Sequence, residues 1–566
     1  MFKRWLIVFC VLAFAMFSLA LCSKSGTEDF DILIKNGKIV DGTENPSFHG
    51  DIGITSDTIV EIGDLAGKTA VKTIDAKGLV VSPGFIDIHT HCDGGLGRID
   101  SNANLNYLIQ GVTIVVTGNC GSGTYEIAKT KAKWEEQGIG TNAVMLVGFG
   151  TVRRSVIKVE PRAPTPEELE KMQLTLRQAM KEGAWGMSTG LEYIPDRYSN
   201  TEEVIALTKV IGEFGGVYSS HMRNENDQIT EAVKETVRIG EETGARVNVA
   251  HFKVTGKNNW GLMKEAVKEI NDARARGIYI TADQYPYVQS APIGSISSIL
   301  NIPNDMEPLA EIRKKMRDRN LSDSEREKLR EQYMDELAKA LSDESKRAQI
   351  KKMTLEGLPH KPSSIAMWGW HDITIMVSEK NAHLVGKNFI DIFEEMEGDA
   401  FDIVVDLILD EPGMLTAGGS MSEEDLQYAL QQDWVMVSSD GGSSPIRKKE
   451  DKPRPGHPRG YGSQTKVLRK YVREEKLLTL ENAIRKMTSL PASFLQLKER
   501  GSLLKGYKAD IVIIDPETVS DNSTYADSRR YSTGVEYVII GGKISVENGK
   551  YNGTLNGKVL LLTENK

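Results

Sequence analysis

Apolar runs recur down the chain, and each stops at a residue that can bind a metal or move a proton. Residues 85–88 (FIDI) read as a short buried strand that leads into His89-Thr90-His91. The β-branched run 112–117 (VTIVVT) leads into Gly118-Asn119-Cys120-Gly121. Residues 216–220 (GVYSS) lead into His221, 245–250 (ARVNVA) into His251, and 434–439 (WVMVSS) into Asp440. Between these runs, residues 202–214 and 229–243 carry apolar positions at helical spacing. Strands alternating with helices predict a parallel sheet. Functional residues at the C-terminal ends of many such strands predict an α/β fold of the (β/α)8 TIM-barrel type. Side chains at i and i+2 of a strand share a side, so His89 and His91 can reach one metal ion.

Other stretches depart from this rhythm. Residues 30–80 alternate apolar and polar positions between turn signals such as Asn36-Gly37 and Asp41-Gly42, and residues 501–566 share that texture. Both ends therefore predict short antiparallel strands. From 305 to 352 the chain is dense in charge, with Leu and Met at helical spacing. That stretch predicts two or three solvated helices inserted after Tyr285-Pro286-Tyr287, with Trp368, Trp370 and His371 near the return facing the pocket.

The chain's beginning reads as a targeting segment. Lys3 and Arg4 precede an almost wholly apolar stretch, 5–21, slightly short for a membrane span. Residues 1–22 are thus expected to be a signal peptide and 23–29 a linker. Ser18-Leu19-Ala20 suits an ordinary signal peptidase; Leu19-Ala20-Leu21-Cys22 suggests a lipobox that would lipidate Cys22, although Leu21 is larger than the small residue usual there. The expectation is an exported, periplasmic protein with no membrane span after cleavage, and a lipid anchor at Cys22 as the alternative. A net charge of −9 supplies no basic stripe, which excludes nucleic acid as a partner. Four cysteines, two of them within the first 22 residues, do not make a disulfide scaffold.

Together these residues resemble the amidohydrolase superfamily, and within it the D-aminoacylases, or N-acyl-D-amino-acid deacylases. The resemblance covers nearly everything after about residue 30. It is carried by residues 83–93 (PGFIDIHTHCD), 111–121 (GVTIVVTGNCG), 150–154 (GTVRR), 186–193 (GMSTGLEY) and 220–225 (SHMRNE). It continues through 251–253 (HFK), 285–287 (YPY), 439–441 (SDG), 457–459 (HPR) and 501–516 (GSLLKGYKADIVIIDP). The resemblance implies a catalytic barrel over 81–490. It also implies a discontinuous β-sandwich from 30–80 and 491–566, and a helical lid over 295–375.

Many relatives in the superfamily bridge two metals with a carboxylated lysine on a mid-barrel strand. Residues 184–193 contain no lysine, which makes Cys120 the candidate for that role rather than a buried structural thiol or a disulfide partner of Cys92. The implied cofactor is one zinc tightly held by Cys120, His221 and His251. His89, His91 and Asp440 would form a second, weaker position. Asp440 would act as general base and acid. The implied substrate is a small-molecule N-acyl-D-amino acid, whose carboxylate would meet Arg459, Lys253 and Tyr285, with Arg223 either joining them or paired to Glu225 or a neighbour. The alternatives are a dipeptidase acting on L-Xaa-D-Xaa, a cyclic amidase of the hydantoinase or dihydropyrimidinase kind, and a non-catalytic scaffold protein. The missing lysine argues against the cyclic amidase. Retention of all six candidate ligands argues against the scaffold protein.

Overall fold

The computed structural model describes residues 28–565, apart from 291–292, 317, 319–320, 359–362, 449–450 and 452. The leader and Cys22 lie outside the described residues. Eight parallel strands form the central sheet: β1 (Phe85–Asp87), β2 (Val112–Thr117), β3 (Asn142–Gly148), β4 (Gly186–Gly190), β5 (Val217–His221), β6 (Arg246–Val249), β7 (Ile280–Gln284) and β8 (Val435–Val437). They pair in chain order, each beside the next. The ring closes just past the strand ends, where Thr90 bridges Gly441. There His91 N–H donates to the Gly441 carbonyl at 2.7 Å and Asp440 N–H to the His89 carbonyl at 2.9 Å. The segments carrying the candidate ligands therefore complete the barrel. β2 and β3 are mostly apolar and buried at every position, as expected of a parallel sheet covered on both faces.

The surrounding helices follow their periodicity. Helix Ile229–Thr243 buries Ile229, Ala232, Val233, Thr236, Val237 and Gly240, a stripe at three- and four-residue steps. It ends at Gly244, whose φ of 67° supplies the left-handed turn that closes a helix. Helix Pro166–Lys181 starts from a reciprocal cap between Thr165 and Glu168, with proline in its first turn.

Both ends of the chain build one mixed sheet of nine strands, in which Ile511–Ile514 lies antiparallel to Val80–Pro83. Alternation divides that strand between two cores. Ile511 and Ile513 pack with Ile32, Ile34, Ile52 and Ile74, while Val512 and Ile514 join the barrel's core. The pair Val559–Leu560 then lies parallel to the first half of β3, fixing the end of the chain to the barrel.

The insertion between β7 and β8 contains the expected charged helices, Leu309–Met316, Asp323–Ser342 and Glu344–Glu356. It is more than a set of solvated helices. Three short strands form an antiparallel sheet, and residues from Ile296 to Met414 share a separate apolar core that includes Leu337, Phe389, Phe401 and Ile408. The packed unit therefore extends beyond 295–375. Trp370, partly buried, meets Phe389 and Phe393 edge-on against that core and does not line the cavity beside Asp440. His371 faces Asn258 in a separate cleft of about 530 Å³. The Trp368 side chain lies outside the described residues.

Candidate metal centre

The residues singled out at strand ends converge on the Cys120 thiol. Its Sγ lies 3.4 Å from His89 Nε2, 3.6 Å from His251 Nε2 and 3.9 Å from His221 Nδ1. His221 Nδ1 and His251 Nε2 are 2.7 Å apart. On the other side, His91 Nε2 and His89 Nε2 lie 3.0 and 3.5 Å from Asp440 Oδ1. Two groups of donors result, Cys120–His221–His251 and His89–His91–Cys120–Asp440, each with its atoms within 4.8 Å of one another. One thiolate and two imidazoles make a zinc-type set of three protein ligands, and the thiol is common to both groups.

The backbone is bent to bring them there. Cys120, His251 and Asp440 have φ of 52°, 32° and 50°, a left-handed region that non-glycine residues seldom occupy. The Cys120 loop is hemmed in at Gly121, where an added Cβ would run into Asp196. Ser188, on β4, accepts the Gly121 N–H at 3.0 Å. Cys92 is a separate, buried free thiol, so it is not bonded to Cys120.

The electrostatics suit metal binding. Burial opposes charge on Cys120, but the imidazoles of His89, His221 and His251 outweigh it and hold the thiol well below its usual range. Burial also opposes charge on the histidines. Asp440 and Cys120 nevertheless lift His91 to about 9, and Glu225, Cys120 and Glu192 lift His221 to about 10. Asp440 is desolvated too, yet Arg459, His91 and His89 keep its carboxyl well below the carboxylate range.

A family model described as Amidohydrolase family matches residues 72–322 and 452–546. The chain belongs to the amidohydrolase family. It is a metal-dependent amide hydrolase. It is 30% identical over 568 residues to D-aminoacylase of Alcaligenes xylosoxydans xylosoxydans, covering 96% of this chain and 99% of that one. N-acyl-D-glutamate deacylase of the same organism is 29% identical over 540 residues, covering 91% and 93%. A crystal structure of N-acyl-D-glutamate deacylase from Bordetella bronchiseptica, complexed with zinc and a phosphonate mimic of the tetrahedral intermediate, superposes with a TM-score of 0.69. That match has 28% identity and covers 94% of this chain and 100% of the other.

Beside the ligands, this amidohydrolase gathers cations. Arg459 Nη1 lies 2.5 Å from Asp440 Oδ2, and its guanidinium sits 5.2 Å from the centre of the Tyr285 ring. Lys253 Nζ is 5.9 Å from the same ring. The Tyr285 hydroxyl is buried without a hydrogen-bond partner among the described residues. His457 places Arg459: its Nδ1 accepts the Arg459 N–H at 3.2 Å, and its Nε2 lies 2.9 Å from the Gln289 carbonyl. Arg223 stands apart, both arms of its fork bonded to Glu235 at 2.9 and 3.0 Å. A cavity of about 1510 Å³ is lined by His91, Asp440 and Arg459 on one side and by Tyr333 and Met334 of the insertion's helix Asp323–Ser342 on the other.

Two supporting acids, Asp283 and Glu192, were not marked in the sequence, and a third, Glu225, was marked only as a partner for Arg223. Asp283, at the end of β7, lies 3.5 Å from His89 Nδ1 and accepts from His251 N–H, Asn248 and Ser438 at 2.7–3.0 Å. Glu192 is 3.1 Å from His221 Nε2, and Glu225 lies between His251 and Lys253. The strand-end position that marked His221 and Asp440 marks Asp283 equally. Glu192 and Glu225 lie in loops and carry no such signal.

Proposed function

We propose that this amidohydrolase is a zinc-dependent N-acyl-D-amino-acid deacylase, releasing a carboxylate and a free D-amino acid. The observation that carries the reading is the juxtaposition of Arg459, Lys253 and the unpartnered Tyr285 hydroxyl beside Asp440. This arrangement supplies a seat for a carboxylate next to the scissile amide. The D configuration is supported by the two curated relatives, whose names specify D substrates.

In this reading Cys120, His221 and His251 hold the principal zinc, and His89, His91 and Asp440 offer a weaker second position through the shared thiol. When bound, zinc supplies a water acidic enough to deprotonate near neutral pH and polarises the amide carbonyl. Asp440 Oδ1 takes the proton from the attacking water and passes it to the leaving nitrogen. Arg459 keeps one donor on Asp440 Oδ2 and offers its remaining donors to the substrate carboxylate, opposite Lys253 and Tyr285. Arg223, committed to Glu235, braces its own loop. L-Xaa-D-Xaa dipeptides carry the same carboxylate beside an amide and stand among the substrates to test.

Among the described residues no helix is long and apolar enough to cross a membrane. The basic-then-apolar start supports export to the periplasm, with lipidation at Cys22 as the alternative processing.

The direct test is amine release by the zinc-loaded protein from matched N-acyl-D-amino acids, N-acyl-L-amino acids and L-Xaa-D-Xaa dipeptides. Hydrolysis confined to D compounds is expected. Equal turnover of L compounds, or turnover of hydantoins alone, contradicts the assignment.

A further inference from the structure

We propose that Glu225 is a positioning residue shared by the metal centre and the substrate clamp: one carboxylate oxygen fixes the His251 tautomer and the other holds the Lys253 ammonium. The substrate half of this inference rests on the deacylase reading; the metal half does not. Glu225 is buried, with only 6% of its surface exposed. Its Oε1 lies 2.8 Å from His251 Nδ1 and its Oε2 lies 2.6 Å from Lys253 Nζ. The Glu225 carbonyl accepts the Thr255 N–H at 2.7 Å and the Thr255 hydroxyl at 3.1 Å, which fixes the backbone that carries the carboxylate.

The tautomer argument is a matter of proton count. His251 turns Nε2 toward Cys120 and His221, so binding a metal there requires a lone pair on Nε2 and a proton on Nδ1. Lys253 Nζ also lies 2.7 Å from that same Nδ1. An ammonium has no acceptor, so it cannot bond an Nδ1–H. If Lys253 donated to Nδ1 instead, the ring proton would move to Nε2 and remove the lone pair a metal needs. Glu225 Oε1, buried 2.8 Å away and without a hydrogen bond of its own among the described residues, is the acceptor within reach of that proton. Its charge also offsets an ammonium buried beside a cationic site. Arg223 does not compete for it, being paired with Glu235.

The consequence is a link between two functions. The carboxylate that orients a metal ligand also aims the lysine at the substrate. The test uses the full chain with cobalt in place of zinc. In Glu225→Gln, cobalt affinity should fall roughly 10–100-fold, and the thiolate-to-cobalt absorption should need correspondingly more metal to appear. With the site saturated, KM for an N-acyl-D-amino acid should rise about tenfold while kcat stays within about threefold. Glu225→Asp should recover part of both. Lys253→Met should raise KM yet keep cobalt affinity, because Oε1 still accepts the Nδ1 proton.

Unchanged cobalt affinity in Glu225→Gln overturns the proposal. So does a loss in Lys253→Met equal to that in Glu225→Gln. If Glu225→Gln does not fold, nitrogen-15 spectra of the zinc-loaded wild type decide: a His251 Nδ1 proton protected from exchange is expected, and a freely exchanging one overturns the tautomer argument. A wild type that binds cobalt through its thiolate but hydrolyses no N-acyl-D-amino acid ends the deacylase reading, while the cobalt titrations still judge Glu225.

Discussion

At the scale of single residues, the centre is a set of groups that compete for protons until a metal replaces them. His91 and His221, lifted to about 9 and about 10, carry protons at neutral pH in the metal-free protein. A metal needs the lone pairs those protons occupy. Zinc uptake at pH 7 should therefore release protons, and affinity should weaken on acidification by about tenfold per pH unit for each proton displaced. That dependence should flatten as the pH rises past the values of these histidines. Calorimetric titration in buffers of different ionisation enthalpy measures the release; zinc uptake with no buffer dependence would refute the charge states. The main donors were legible in the sequence because each lies at or just past the end of a strand-like run, as His89, Cys120, His221, His251 and Asp440 do. Their bracing was not. That Arg223 would pair with Glu235, leaving Glu225 to Lys253 and His251, depends on how loops meet across the barrel mouth.

At the scale of elements, the insertion differs most from its sequence pattern. Charge density marked helices such as Asp323–Ser342, but little in the pattern marked the sheet that ties them together. Its strands, Ile293–Ser295, Thr374–Val377 and Leu415–Ala417, are three or four residues long and pair across about 120 residues of chain. Strands that short have no readable period. The apolar helix Ala400–Asp410 shares the insertion's core with residues of the charged helices, and Phe401 within it is almost fully buried. Phe401→Ala should destabilise the insertion by about 3–5 kcal/mol. Because the insertion lines part of the cavity, KM should rise while bound zinc is unchanged. Denaturant unfolding, metal analysis and steady-state kinetics check this together. Loss of zinc in that variant would show that the insertion supports the metal centre as well as the cavity.

At the scale of the whole molecule, the barrel was legible because buried parallel strands and amphipathic helices announce themselves by period and length. The joining of the two chain ends into one sheet was not a matter of period. It came from resemblance, and its physical basis is the two-sided burial of Ile511–Ile514, one face on the small domain's core and the other on the barrel's. The molecule thereby gathers its candidate metal ligands from the ends of several strands of one ring, beside a cavity that the insertion also lines. The central claim is that zinc at Cys120, His221 and His251 drives that chemistry. Metal-free protein should be titrated with zinc while hydrolysis of an N-acyl-D-amino acid is followed, in the wild type and in Cys120→Ala. Activity that rises to its full value with the first equivalent in the wild type, and stays absent in Cys120→Ala, is the predicted result. Activity before any zinc is added, or a Cys120→Ala variant as active as the wild type, would contradict it.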